Sequence, residues 1–230
     1  MAVFLRPACW LALVLTLAAS PALAASRPPQ GFTLSGDADL AFTSPDGATR
    51  LEQYVKEGQD SDIKWQVWAR RGEEMTELKP EQDYPAAFRF TSDSQWLVRM
   101  QKTGSGSKDL HLYRAEKGTF VSATQQPLSE LAWAYFRSRT DTRKMKLDDH
   151  ISANLVKGTD EAYRNLGVRW PENRYLVISL SGEMDKHPRN VVVKGLAGWR
   201  CRYDLQTGTF DVPAEFARAN AEALRWEIKR

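Results

Sequence analysis

The densest local cluster of metal-binding and acid–base side chains in the sequence is Asp148-Asp149-His150. Carboxylates and imidazoles bind transition metals and also serve as general acids and bases. Adjacent residues rarely point to one centre, and neither His111 nor His187 belongs to a second cluster of suitable spacing. The sequence therefore predicts no metal site and no cofactor, and it leaves Asp148, Asp149 and His150 as the residues that would form one.

Two residues could act as a nucleophile, and the sequence around each argues against that role. Ser181 lies in Leu180-Ser181-Gly182, which lacks the Gly-x-Ser-x-Gly pattern of a hydrolase elbow. Cys201 alternates in phase with Trp199 and Tyr203, so we expect a small apolar residue on a buried strand face. No histidine is close to Cys201 in sequence, and a partner brought near by folding stays open. The sequence predicts no catalytic residue.

A pair of tryptophans is the first candidate for contact with a partner. Trp65 and Trp68 differ in parity along one predicted strand, so a regular strand places at least one of them outward. An exposed indole beside Arg70-Arg71 could stack on a sugar ring or anchor a partner protein. The alternative, which the usual burial of tryptophan favours, is that both indoles lie under a helical insertion.

The second candidate is a locally basic segment, residues 137–146, which we call the connector. Its charge could attract an anionic envelope polymer or lipid headgroups. A solvated loop is the more usual explanation for such a run, and that alternative stays open. The connector residues that we predict to take part in binding are Arg137, Arg139, Arg143 and Lys144.

The first 24 residues have the pattern of a secretory signal peptide. Arg6 gives a short positive start, and the apolar run from Trp10 to Ala19 is too short to span a bilayer. Ala22-Leu23-Ala24 supplies the small-x-small cleavage pattern. Cys9 precedes the apolar run, so it leaves with the signal peptide. We expect a periplasmic or secreted protein with no stable membrane anchor after cleavage.

The overall charge is nearly balanced, with 32 Lys and Arg against 29 Asp and Glu. A net charge of +3 does not indicate a nucleic-acid partner, because proteins that neutralise many phosphates are strongly basic. After signal cleavage Cys201 is the one cysteine left, so we expect packing, not an internal disulfide, to hold the core.

Alternation of apolar and polar residues predicts a mainly β chain with two helical segments. We expect a flexible lead at 25–38 and a single globular domain at 39–230. A helical insertion is predicted at about 127–166, with a second short helix at 160–166, and a C-terminal helix is predicted at about 213–230. The apolar stripe that predicts the insertion comprises Leu128, Leu131, Ala132, Tyr135 and Phe136.

A strand-turn-strand pattern occurs about three times, which indicates a framework of similar units. One copy starts with Ser44-Pro45-Asp46-Gly47, a second with Thr91-Ser92-Asp93-Ser94, and a third with Trp170-Pro171-Glu172-Asn173. These units resemble the short β-propeller repeat of the Tol-system translocation protein and of prolyl-oligopeptidase-type propellers. The first turn matches that repeat outright, the second matches it loosely, and the third lacks the aspartate and the glycine.

The resemblance covers about half of the mature chain and implies a β framework. Closed propellers carry about four to eight blades, so three units are too few for a complete propeller. The predicted fold class is therefore mainly β with a helical insertion and a C-terminal helix (α+β). Its framework is either partial-propeller-like or a curved antiparallel sheet of about three repeated hairpin units.

The sequence favours an exported, soluble, non-catalytic binding or interaction module of the cell envelope. Its expected partner is an envelope protein or an anionic polymer, and the expected contacts are the outward tryptophan, the connector and the glycine-rich tip at Gly104–Gly106. The alternative is an envelope hydrolase or metal-dependent enzyme, with a site assembled around Asp148, Asp149 and His150.

Overall fold

The computed structural model describes most of the chain beyond the predicted signal peptide. Several predictions lie outside the described residues, among them the signal peptide, the short helix at 160–166, and the side chains of Lys144, Asp148 and His187. No helix in the described part is both long and apolar enough to cross a membrane. The described residues are 29–58, 62–143, 145, 147, 149–156, 173–183, 192–224 and 227–229.

The N-terminal strands form a small antiparallel sheet. Its order is β1-β3-β4-β5, and β2 also pairs with β3. The alternation that predicts strands around Leu51 and Trp65 is confirmed, because β3 and β4 form a long hairpin that pairs Arg50 with Arg70. The strands are β1 (Thr33–Leu34), β2 (Phe42–Thr43), β3 (Arg50–Glu57), β4 (Ile63–Arg71) and β5 (Glu74–Glu77).

The remaining described strands form a large sheet. Its order is β13-β12-β11-β10-β8-β7-β6, with β9 on β8 and β14 on β12. Every pairing is antiparallel except one parallel contact between Lys108 and Ser152, which joins β8 to β10. The strands are β6 (Ala86–Phe90), β7 (Trp96–Lys102), β8 (Lys108–Glu116), β9 (Thr119–Ser122), β10 (Asp149–Leu155), β11 (Tyr175–Glu183), β12 (Val192–Asp204), β13 (Thr209–Asp211) and β14 (Glu227–Lys229).

The two described α-helices lie where helices are predicted, and both are shorter than predicted. Helix α1 spans Leu128–Ser138 and helix α2 spans Ala217–Ala223, with single 3-10 turns at Ala38–Leu40 and Ala214–Phe216. Inside the predicted helical insertion the chain returns to the sheet as β10, because Ala153 and Leu155 alternate into the core and pair with β11. Residues 227–229 pair with β12 as β14, so the C-terminal helix does not extend to 230.

The strands form three successive four-stranded antiparallel meanders, β2–β5, β6–β9 and β10–β13. The first meander makes the small sheet, and the other two are joined by the β8–β10 contact. No sheet of the described strands closes into a barrel. The predicted fold class, mainly β with a helical insertion, a C-terminal helix and about three repeated hairpin units, is confirmed.

The first two meanders begin with the same turn, built from different residues. Ser44 Oγ donates to Asp46 Oδ1 at 2.5 Å, and Thr91 Oγ1 donates to Asp93 Oδ1 at 2.6 Å. Each hydroxyl also accepts the backbone N–H five residues further on, at 2.9 Å in both turns. A hydroxyl and a carboxylate two residues apart can satisfy the turn's own backbone, which is why both sequences support it.

These turns also contact one another along the array. Gly47 and Ser94 occupy the same turn position with φ of +71° and +58°, a region that glycine adopts easily and serine rarely. The Asp46 N–H donates to Ser94 Oγ, and the Asp93 N–H donates to Asn173 Oδ1. A hydrogen-bonded line therefore runs from the first turn through the second to Asn173, just before β11.

Apolar side chains cover both faces of the large sheet. Val98 and Leu112 point to a core shared with α1 and α2, whereas their neighbours Leu97 and Tyr113 point to a core shared with the small sheet. The molecule thus has three layers, with the large sheet in the middle. Arg99 faces the small sheet with no exposed surface, and its Nη1 donates to the backbone oxygens of residues 78 and 80 at 2.8 Å.

Two buried amide side chains substitute for missing strand neighbours. The Gln53 amide donates to the carbonyl of Ala86 and accepts its N–H, both at 2.8 Å, which ties β3 to the start of β6. The Asn220 amide does the same for Arg200 of β12, at 2.9 and 2.7 Å. Each amide satisfies a donor and an acceptor that burial would otherwise leave unpaired.

Candidate functional site

Helix α1 places an aromatic wall on one face of the large sheet. Its buried residues are Leu128, Ser129, Ala132, Trp133 and Phe136. Three of them belong to the predicted stripe, whereas Leu131 and Tyr135 of that stripe are half-buried. The Phe136 ring meets Trp133 edge-on at 5.5 Å and Trp199 of β12 at 5.0 Å. These edge-to-face contacts fix the rings against β12 and leave little freedom at the carboxyl end of α1.

The connector folds back onto the end of α1. Thr142 has no exposed surface, and its hydroxyl donates to the carbonyl of Phe136. The N–H of Arg143 donates to Arg139 at 2.9 Å, and that of Met145 donates to Thr142 at 2.9 Å. The described part of the connector is therefore a hydrogen-bonded series of turns, in contrast to the freely solvated loop that the sequence leaves open.

Arg139 is held within the structure by its own contacts. Its guanidinium forms two hydrogen bonds with Asp141, at 3.0 and 3.2 Å, and donates to the Tyr135 hydroxyl at 3.3 Å. It also lies over the rings of Tyr135 and Trp199, 5.8 Å from each centroid. The pairing with Asp141 raises the pKa of Arg139. This predicted binding residue has its charge already matched by a neighbouring carboxylate.

A pocket of about 290 Å³ lies between α1, the connector and the start of β10, and we call it the connector pocket. Its lining is formed by Trp133, Phe136, Arg137, Arg143, Met145, Leu147 and Ile151. Five of these seven side chains are apolar, and the arginines supply the two charges. A cavity with this lining suits a ligand that is apolar along its length and anionic at one end.

A glycine on β11 allows the far wall of this pocket to approach the sheet. A Cβ on Gly182 would lie 2.9 Å from Ile151 Cδ1 and 3.4 Å from Leu147 Cδ1. Real side chains do not approach so closely, so any larger residue at 182 would push this wall outward or into the pocket. The position of Leu147 and Ile151 thus depends on a residue of the framework.

The two arginines of the pocket are exposed and have no acidic partner in the part of the chain that the structure describes. Neither Arg137 nor Arg143 forms a side-chain hydrogen bond or ion pair with a described residue, unlike Arg114, Arg174, Arg202 and Arg218. The connector contains five Lys and Arg against one Asp, and that aspartate is paired with Arg139. Among the described residues no carboxylate therefore balances Arg137 and Arg143, and their charge can attract an anion.

The predicted metal-binding cluster is described in part. His150 is 44% exposed with φ of +49°, and its Nδ1 lies 3.2 Å from Glu183 Oε1. Its ring also packs on the glycine-rich tip, since a Cβ on Gly106 would lie 2.8 Å from His150 Cδ2. Asp148 and the side chain of Asp149 are outside the part of the chain that the structure describes. The described residues bring together no group of three metal-binding side chains.

The candidate nucleophile and the strand histidine are both buried away from the pocket mouth. Cys201 has no exposed surface and shares the buried face of Trp199 and Tyr203, as predicted, and burial raises the pKa of its thiol to about 12. His111, which the sequence would place on an exposed strand face, is half-buried. Burial, with the Arg99 charge second, lowers the pKa of His111 to about 4.

Of the two predicted binding tryptophans, Trp68 does not face outward. Trp68 is 7% exposed, packs with Tyr54 and Met75, and donates its indole N–H to Gln66 at 3.1 Å. It therefore offers no face to a partner, and its covering comes from the small sheet, not from a helical insertion. Trp65 is half-buried, and its backbone pairs with Gln82.

The apolar half of the connector pocket was missed by reasoning from sequence. A signal existed, because Met145, Leu147, Ile151 and Ala153 keep one parity through a segment assigned to basic connector and helix. Gly182 carried no comparable signal, since its role depends on two side chains about 30 residues earlier in the chain. Of the predicted binding residues, the structure brings Arg137 and Arg143 to the pocket and assigns Arg139 to a structural contact.

Comparison with known proteins adds little to this geometry. No family model and no curated protein matches the sequence. Matching solved structures include the apo form of AtxE2 isopeptidase, at 10% identity and a TM-score of 0.34, with 82% of this chain and 31% of that chain covered. A puromycin-hydrolyzing peptidase of Mycobacterium tuberculosis matches at 14% identity and a TM-score of 0.36, with 80% and 32% covered. This chain thus spans about a third of either structure's length, and likeness this low supports no conclusion about activity.

Proposed function

We propose that this protein is an exported, non-catalytic binding module of the cell envelope, and that it binds its ligand in the connector pocket. The observation that carries the proposal is the pairing of an apolar cavity with two exposed arginines that no described acidic group neutralises. The signal-peptide pattern at 1–24 supports the envelope as the place of action.

The state of the candidate catalytic groups supports binding over catalysis. A nucleophilic thiol must ionise near neutral pH, and the pKa of about 12 keeps the buried Cys201 protonated. The His111 ring, with a pKa of about 4, is a poor proton acceptor at neutral pH. The uncompensated positive charge at the pocket favours an envelope component that carries negative charge, whether protein, polymer or lipid.

Affinity capture from the native envelope fraction tests this proposal. The bait is the mature protein, residues 25–230, with and without the double substitution Arg137→Gln/Arg143→Gln. We expect a crosslinked partner that is lost in the double variant and that weakens as salt is raised, because salt screens exposed charges.

The matched control is Arg114→Gln/Arg218→Gln, which removes the same charge from two exposed arginines that do not line the pocket. The control variant should retain the partner. Equal capture by all three baits, or no specific capture by a folded wild-type bait, would contradict a binding site at the connector pocket.

A further inference from the structure

We propose that the ligand of the connector pocket is a small amphipathic anion, with a single alkyl chain in the cavity and a carboxylate or phosphate head at Arg137 and Arg143. This inference rests on the proposed binding function and adds the chemical class of the ligand. Three features of the pocket carry it: its size, its lining and its charge.

The size of the pocket suits a small ligand. Its volume of about 290 Å³ lies at the lower end of the range typical of small-molecule sites, roughly 300 to 1,000 Å³. An alkyl carboxylate such as octanoate is a small probe for such a pocket.

The lining selects an alkyl chain over a sugar or a polar peptide. Beyond the two arginines, the lining side chains that the structure describes are aromatic, aliphatic and thioether groups, which offer no array of hydrogen bonds for hydroxyl groups. Burying a polar ligand there without partners would be unfavourable. Met145 is unbranched and flexible, so it can follow the shape of a chain that varies in length.

The charge of the pocket selects the head group. Guanidinium groups match carboxylate and phosphate geometry and form charge-assisted hydrogen bonds with both. Arg137 lies in the last turn of α1, and Arg143 lies in the turns that fold back onto it, so both border the same cavity. The two arginines would repel a cationic head group, and a neutral head group would form no ion pair with them.

Octanoate binding to the mature protein tests the ligand class. Calorimetry and the fluorescence of Trp133 would be compared for octanoate, octan-1-ol, octyltrimethylammonium and butyrate. We expect octanoate to bind more tightly than each of the other three, since each lacks either the charge, its sign or the chain. Equal binding of octanoate and octan-1-ol, or no octanoate binding, would overturn the inference.

The double variant locates the effect. Arg137→Gln/Arg143→Gln should weaken octanoate binding by about tenfold or more while leaving octan-1-ol unchanged, whereas Arg114→Gln/Arg218→Gln should bind both as the wild type does. Octanoate affinity unaltered by the double variant would place the ligand elsewhere. The wild-type probe series decides the question even if a variant folds poorly.

Competition with vesicles identifies the source of the chain. Vesicles of anionic phosphatidylglycerol that displace octanoate, where neutral phosphatidylcholine vesicles do not, indicate an acyl chain of an envelope lipid. Octanoate that stays bound beside both vesicles indicates a free carboxylate. If octanoate fails to bind but envelope capture still depends on Arg137 and Arg143, the proposed ligand class is wrong and the proposed binding function stands. If octanoate does not bind and envelope capture does not depend on these arginines, the proposed binding function is wrong as well.

Discussion

Single polar side chains inside this fold have large effects because they are buried among apolar neighbours. Arg99, Gln53, Asn220 and His111 each lie within or beside a core, and the first three compensate for their burial with hydrogen bonds to backbone groups. His111 differs, because burial and, second to it, the Arg99 charge oppose protonation of its ring. Substituting one of these side chains should therefore change the free energy of unfolding, and so should acid.

Gln53→Leu should destabilise the protein by about 2–3 kcal/mol, because the N–H and the carbonyl of buried Ala86 both lose their partner. Urea unfolding of the two proteins measures the difference. Gln206→Leu is the control, since Gln206 is exposed, and it should change stability little. A Gln53 variant as stable as the control would show that β6 finds other partners.

His111→Gln should make the protein less sensitive to acid. The His111 pKa is lowered from 6.5 to about 4, so the unfolded chain binds a proton between these values that the native chain does not. Native stability is therefore complete above pH 6.5 and falls as the pH drops to 4. We expect the wild type to lose about 1–2 kcal/mol more than the variant across this window, measured by urea unfolding. Parallel curves for the two proteins would contradict the burial of this ring.

At the scale of elements, the connector is the segment whose order matters most to the pocket. Its path depends on the Thr142 hydroxyl, which reaches back to the Phe136 carbonyl at the end of α1. Met145 and Leu147 follow within five residues and form one wall of the cavity. The shape of the pocket therefore depends on the ordered path of the connector.

Thr142→Val keeps the side chain's shape and removes its hydroxyl. We expect a loss of about 1–2 kcal/mol in stability, because the Phe136 carbonyl is left unpaired in a buried position. Octanoate affinity should fall as well, although no charge has changed. Thr140→Val, at an exposed connector position, is the control. Reduced stability with unchanged octanoate affinity would separate the connector from the pocket.

At the scale of the whole molecule, one continuous core couples the second and third meanders. It runs from Val98 on β7 to Tyr203 on β12 and includes both helices. Cys201 lies within this core with no exposed surface. Its thiol should therefore become accessible when the large sheet opens as a unit.

Labelling of Cys201 by a thiol reagent in increasing urea tests this coupling. With a native pKa of about 12, the folded thiol supplies almost no thiolate at about pH 8. We expect the labelling midpoint to coincide with the unfolding midpoint from circular dichroism. Gln206→Cys in a Cys201→Ala background is the reference and should react at once in the folded state. Labelling of Cys201 well below the unfolding midpoint would reveal local opening of β12.

The sequence allowed the β framework, the repeat and helix α1 to be predicted, because each has a local period or a turn signature. Strand β10 was assigned to a helical insertion, since its alternation follows a basic run and its pairing partners come later in the chain. No pocket was predicted from the sequence; of the residues that line the connector pocket, only Arg137 and Arg143 were named, as binding residues of the connector. Its apolar walls depend on Thr142 folding the chain back and on the missing side chain of Gly182, which are tertiary effects with no local pattern.

The place where β8 changes neighbours has a consequence for how this protein can evolve. One end of β8 pairs with β9 and the other touches β10, and the chain leaves the framework between those two strands to form α1 and the connector. Both arginines and most of the cavity belong to this excursion, whereas the strands keep their own register. A new specificity can therefore arise by mutation of exposed lining residues such as Arg137 and Arg143, whereas Trp133 and Phe136 also belong to the core of the scaffold.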